Sequence, residues 1–225
     1  MRRLFAMTTL LLLPAMLHAQ DSPAPDTSAS LGYRVVVDYD RPGLSVPHWQ
    51  IVIPPRGMAQ YTGVPVKGND PGTVNFWISD AGRAKLGSML ASSKGLTPCE
   101  TKSKGIANMG QKIIVYTPAN GEAAHCTFNF TDNKPLSDAF TYLLAIAGTV
   151  QAGLEIERLH RYDRLGLDPV MIRLSDDIKQ GRAAEIGAIK STLESLVTDP
   201  ALLERVRTRA QHLLDLEKLQ ETATP

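Results

Sequence analysis

Cysteine is nearly absent from this chain, which has two residues, Cys99 and Cys126, in 225. So few thiols exclude a small disulfide-stapled scaffold and a cysteine-rich metal cluster. Aromatic residues are scarce at 6%, and neither sign of charge dominates, with 24 Lys and Arg against 23 Asp and Glu. A net charge of +1 creates no global field toward polyanions, so nucleic acid is not an expected partner. The histidines beyond the first twenty residues, His48, His125, His160 and His212, show no paired ligand spacing, so neither a metal site nor a cofactor is expected.

Only one strongly apolar run opens the chain. Met1-Arg2-Arg3 precedes a mostly apolar, acid-free stretch from Leu4 to Leu17, broken by Pro14 and ending at Ala19. A basic start, a short greasy core and a small residue before the scissile bond form the pattern of a cleavable secretory signal over 1–19. The run is shorter than the ~20 apolar residues of a spanning helix, so no stable membrane insertion is expected after cleavage. The expected location is periplasmic or extracellular. In such an oxidising compartment a lone even pair of cysteines is predicted to bridge, joining Cys99 to Cys126.

Residues 20–31 are Asp, Ser, Pro, Ala and Thr with little to bury, the composition of a disordered leader. Strand patterns of period two follow: Tyr33, Val35, Val37 and Tyr39, then Trp49, Ile51 and Ile53. Pro54-Pro55-Arg56-Gly57 predicts a turn into a returning strand at Met58–Tyr61, and Val74, Phe76 and Ile78 predict a fourth. Ser79 is read as the cap of a helix with Leu86, Met89 and Leu90 on its apolar side, weakened by Gly82 and Gly87 and ending before Gly95. Beyond a loop over 97–111, Ile113, Val115 and Thr117 are taken as one face of a strand. Its hairpin partner carries Ala124, Cys126, Phe128 and Phe130.

From Pro135 the period becomes helical. Leu136, Phe140, Leu143, Ala147, Val150 and Leu154 recur at intervals of four and three, a stripe that predicts a long helix lying on the sheet and closed by Gly166. Asp168-Pro169 and Asp199-Pro200 are read as caps and first residues of two further helices, the last striped by Leu203, Val206, Ala210 and Leu213. The expected fold is α+β: an antiparallel sheet of about five or six strands, helices packed on one face, and an α-helical C-terminal extension. The α+β part is assigned to 32–166 and the helical region to 167–220.

Chemistry-bearing patterns do not survive inspection. His160-Arg161-Tyr162-Asp163 lacks the downstream Asn and the glycine-rich loop of a kinase catalytic loop. Ser79 has no flanking glycines of a nucleophile elbow, and His125 and Cys126, as strand neighbours, point to opposite faces. No catalytic residue is therefore assigned. Two groups remain as candidate ligand contacts. One is the loop residues Lys102, Lys104 and Asn108, suited to an anionic or carbohydrate group; the other is Arg158, His160, Arg161 and Arg164, where Glu157 is expected to pair with Arg161. Trp49 and Trp77 are both assigned to packing rather than to sugar stacking. The expected function is a non-catalytic interaction or binding module of the bacterial cell envelope, with an envelope protein or carbohydrate as partner. The alternatives are a hydrolase with an unfamiliar site near His160, Asp163 and the lysine loop, and a structural protein forming homo-oligomers through its C-terminal helices.

Overall fold

The computed structural model describes residues 32–64, 72–102 and 107–222. Residues 1–31, which hold the expected signal and leader, and Lys104 lie outside them. One antiparallel sheet holds β1 Arg34–Asp40, β2 His48–Ile53, β3 Ala59–Val64, β4 Gly72–Phe76, β5 Gln111–Thr117 and β6 Ala124–Phe128, in the order β4-β3-β2-β1-β5-β6. The first four strands form a meander. Helix α1, Asp80–Ser92, and the following loop then carry the chain to the other side of β1, where β5 and β6 form the second hairpin. This is the expected α+β architecture, with six strands.

Alternation on β1, β2 and β3 sorts the two faces. Val35, Val37, Tyr39, Trp49, Ile51, Ile53 and Tyr61 are buried, and the cross-strand register aligns Tyr61, Ile51, Val37, Ile114 and Cys126 in one row. On the other face polar side chains pair across strands, with Gln60 donating to Asn75 at 3.3 Å and Gln50 to Asp38 at 3.4 Å. Ile113, Val115 and Thr117 share one face of the strand at 111–117 as expected, and the sequence left open which face meets the core. Lys112, Ile114 and Tyr116 face the core, and Ile113, Val115 and Thr117 lie outside. Its continuous apolar run gave no alternation to decide the matter, and the register to β1 settles it. Lys112 tolerates the inward position because its Nζ donates to Asn129 O at 2.6 Å and sits 5.6 Å from the rings of Phe128 and Phe140. Burial, and then Arg41, lower its pKa. Phe130 lies beyond β6 and is exposed.

Helix α2, Lys134–Tyr162, lies on the buried face of the sheet. Of the expected stripe, Leu136, Phe140, Leu143, Ala147 and Val150 are buried, and the Phe140 ring packs against Tyr39, Trp49 and Phe128. Asn133 caps the helix, its Oδ1 accepting from Leu136 N–H, and its Nδ2 donates to Ser93 O at 2.9 Å and Thr97 O at 3.0 Å. One buried side chain thus joins the end of α1 to the start of α2.

The far end of α2 belongs to a second core. Ile156 and Leu159 pack with α3 Leu167–Lys179, α4 Lys190–Thr198 and α5 Glu204–Thr222. The C-terminal helices therefore grow from the same helix that covers the sheet. Several local readings change here. Helix α2 ends at Tyr162 with Asp163 as cap, and Gly166 falls in a short 3₁₀ turn instead of closing the helix. Asp168 does not cap α3; its carboxylate accepts from Arg205 Nε at 3.1 Å and Arg209 Nε at 3.0 Å. Asp199 follows α4 rather than opening α5, which begins at Glu204. Long-range partners take both oxygens at Asp168 and Oδ2 at Asp199, whose Oδ1 accepts locally from Ala201 N–H at 2.9 Å. Val206, Ala210 and Leu213 are buried in the second core, and of that stripe only Leu203 is exposed.

Candidate functional site

The residues proposed from sequence fall at opposite ends of the molecule. Cys99 and Cys126 form the expected disulfide, with Cα atoms 5.5 Å apart. Around it the loop is held down: Thr101 N–H donates to Phe130 O at 2.9 Å, Met109 N–H to Asn129 Oδ1 at 2.8 Å, and Tyr39 Oη to Met109 O at 2.9 Å. Asn108 spends its Oδ1 on Gly110 N–H at 2.9 Å. Beside it is a hollow of about 440 Å³ whose ionisable lining is Asp40 and Glu100, both acidic, whereas Lys102 is exposed and outside the lining.

At the other end of α2, His160 Nε2 lies 2.8 Å from Asp199 Oδ2 and Arg164 lies 3.5 Å from the same oxygen. Arg158 is exposed, and Arg161 stacks over the Tyr162 ring at 5.8 Å rather than pairing with Glu157, which accepts from Thr192 Oγ1 at 2.8 Å. Lys102 and Asn108, the described members of the first group, are separated from His160 by nearly the whole of the 29-residue α2, roughly 40 Å of helix. The described residues of the two groups build no common site.

The hydrogen bond from His160, then that from Ala201 N–H and the charge of Arg164, hold the Asp199 carboxyl below its ordinary value. Such a group favours the folded chain above the ordinary carboxylate pKa, and the contribution is lost as pH falls through the lowered folded value. Asp199→Asn is expected to lower the melting midpoint at pH 7 and to make no further difference once the pH is well below about 4. Midpoints measured at both pH values check this. An equal deficit at both would separate the cluster from any charge effect.

A larger cleft of about 1090 Å³ opens where α1, α2 and the 3₁₀ turn Ile186–Ile189 meet. Trp77 stands on its lining in the link between β4 and α1 and is 60% exposed, whereas Trp49 is buried at 2%. Packing accounts for Trp49 and not for Trp77. At the centre lies Glu185, whose backbone takes the left-handed conformation at φ 57°. A non-glycine residue pays for that conformation, and here the side chain holds it in place. Glu185 accepts from Ser79 N–H at 2.7 Å, from the Ser79 hydroxyl at 3.1 Å and from the Tyr142 hydroxyl. Ser79 also caps α1 as expected, accepting from Gly82 N–H at 2.9 Å. Burial, followed by the Glu185 charge, pushes the Tyr142 pKa far up, so the phenol stays protonated and donates.

Gly82 and Gly87, read from sequence as weak points of α1, are places of close approach. A Cβ on Gly82 would fall on the Glu185 carboxylate and the Tyr142 hydroxyl, and one on Gly87 would lie 2.8 Å from the Tyr33 ring. Lys85 stacks over Tyr142 at 4.5 Å, and Lys190 reaches Glu217 at 3.4 Å on the far wall. Sequence reasoning passed over Tyr142, Glu185, Lys190 and Glu217. The one local clue was a pair of glycines inside a helix.

Fold and site together define an α+β protein with a mixed apolar and acidic cleft at the junction of its two cores. No protein-family model matches the chain, and no curated protein matches it.

Proposed function

We propose that this protein is an exported, non-catalytic binding module of the bacterial cell envelope, and that the cleft beside Trp77 is the surface on which it takes its ligand. The observation that carries the proposal is Trp77 itself, a large aromatic left 60% exposed on the wall of a cleft of about 1090 Å³. Exposed tryptophan in a concave site is a common anchor for ligands, since its area is rewarded only when something covers it. The groups nearest to chemistry are spent on one another. Ser79, Tyr142 and Glu185 form a closed set of hydrogen bonds, which suits a scaffold better than a nucleophile and its base. The leader pattern of residues 1–19 and the Cys99–Cys126 bridge support the exported location.

Hydrogen exchange with and without purified envelope fractions tests this. Protection is expected over 77–89 and 183–190, and protection confined to 99–111 or 158–164 would overturn the placement. Trp77→Ala should abolish that protection, weakening the interaction about tenfold or more. Its unfolding free energy should stay within about 0.5 kcal/mol of the parent, as for exposed surface positions.

A further inference from the structure

We infer that the Glu217 wall of this cleft receives a primary ammonium group, with Glu217 as counter-ion and Lys190 as an internal ammonium holding the place. The inference deepens, and rests on, the assignment of the cleft as a binding surface. The Glu217 side chain is 91% buried, at 9% exposure, and lines the cleft. Among the described residues its Oε2 has no hydrogen-bond donor. Lys190 Nζ lies 3.4 Å from each carboxylate oxygen, which is long beside the ~2.7–2.9 Å of a charge-assisted hydrogen bond. The contact is slack, and the Lys190 side chain is itself 43% exposed.

Charge favours the same ligand. Asp80, Asp138, Glu185 and Glu217 line the cleft with Lys85 and Lys190, and even with Lys134 paired to Asp138 at 2.8 Å the carboxylates outnumber the ammonium groups by one, so an incoming cation is favoured. A divalent metal is a poorer match, because among the described residues no three His, Cys, Asp or Glu side chains are grouped to hold one. Gly187 keeps the wall open, since a Cβ there would stand 2.9 Å from Glu217 Oε1. An ammonium on an apolar stem would place its charge at Glu217 and its stem along the apolar lining that includes Trp77 and Met89.

The primary ammonium could come from a free polyamine or from a lysine side chain of a peptide. Titration calorimetry of the full chain with cadaverine and with Nα-acetyl-lysine amide separates these, and Nα,Nε-diacetyl-lysine amide serves as the neutral comparator. At least one amine should bind while the comparator does not. Glu217→Gln should weaken amine binding about tenfold or more, the effect of losing a charged hydrogen-bond partner. Lys190→Met removes the competing ammonium, so the amine should bind it several-fold more tightly and raise its melting midpoint more than that of the parent. This second variant keeps the test decisive if Glu217→Gln folds poorly. Equal binding of the neutral comparator, or unchanged affinity in Glu217→Gln, would overturn the inference, and weaker binding by Lys190→Met would overturn the place-holding role. If no amine binds while Trp77→Ala still abolishes protection by envelope fractions, the ammonium assignment falls and the cleft stands. If Trp77→Ala leaves that protection intact, both fall.

Discussion

Reducing the Cys99–Cys126 bridge, or replacing both cysteines with alanine, is expected to cost about 3 to 4 kcal/mol of folding stability. The bond closes a segment of 27 residues, and restricting a loop of that size removes conformations chiefly from the unfolded chain. The folded side should change little. Asn129 still receives Met109 N–H and donates to Ala107 O, and Thr101 still bridges to Phe130 and Asp132, so the loop keeps its anchors without the sulfur bond. For a chain of this size the loss corresponds to a fall in melting midpoint of roughly 10 °C. Thermal unfolding with and without a phosphine reductant measures it, with alkylation and mass analysis counting the thiols. Cys126 is 1% exposed, so the alkylation is made on protein unfolded without reductant, where a labelled thiol would show that the bridge is absent. A midpoint that reduction leaves unmoved would show that the loop is held by its hydrogen bonds alone.

Strands and long helices were legible because their patterns are local consequences of one-sided burial. Tyr33, Val35, Val37 and Tyr39 alternate because β1 has one face on the core, and the stripe from Leu136 to Val150 repeats because α2 lies along that same core. The Ser79 cap was legible for a similar reason, since its partner Gly82 is three residues away. Polar partners at long range left no such trace. Asp168 and Asp199 both precede proline, which suggests a helix start, yet their carboxylates serve Arg205, Arg209, His160 and Arg164. The cleft was hidden for the same reason: Ser79 and Glu185 are 106 residues apart, and only the folded chain brings them together. Gly82 did carry a signal. A glycine in the first turn of a helix lowers helix propensity, and here it makes room for the carboxylate that joins the sheet domain to the C-terminal helices.

Glu185→Ala is expected to destabilise the protein by about 4.5 kcal/mol, since it removes an acceptor shared by three donors, each at the lower end of the roughly 1.5 to 3 kcal/mol of a bond to a charged partner. Ser79 N–H, the Ser79 hydroxyl and the Tyr142 hydroxyl all lose that partner, and the start of α1 comes loose from the turn before Ile186. The backbone gives this prediction a second, opposite sign. Glu185 sits at φ 57°, ψ 59°, a conformation that costs a residue with a Cβ roughly 1 to 2 kcal/mol and glycine very little. Glu185→Gly should therefore be about 1 kcal/mol less damaging than Glu185→Ala, although both remove the same carboxylate. Urea unfolding of the two variants measures the difference directly. Tyr142→Phe completes the comparison, because its loss should largely vanish in the Glu185→Ala background if the phenol acts through that carboxylate. Should alanine and glycine prove equally harmful, the left-handed turn is not what the carboxylate holds in place. Should Glu185→Ala cost less than about 1 kcal/mol, the two cores are joined by their apolar packing alone, and the cleft would have no rigid centre on which to seat a ligand.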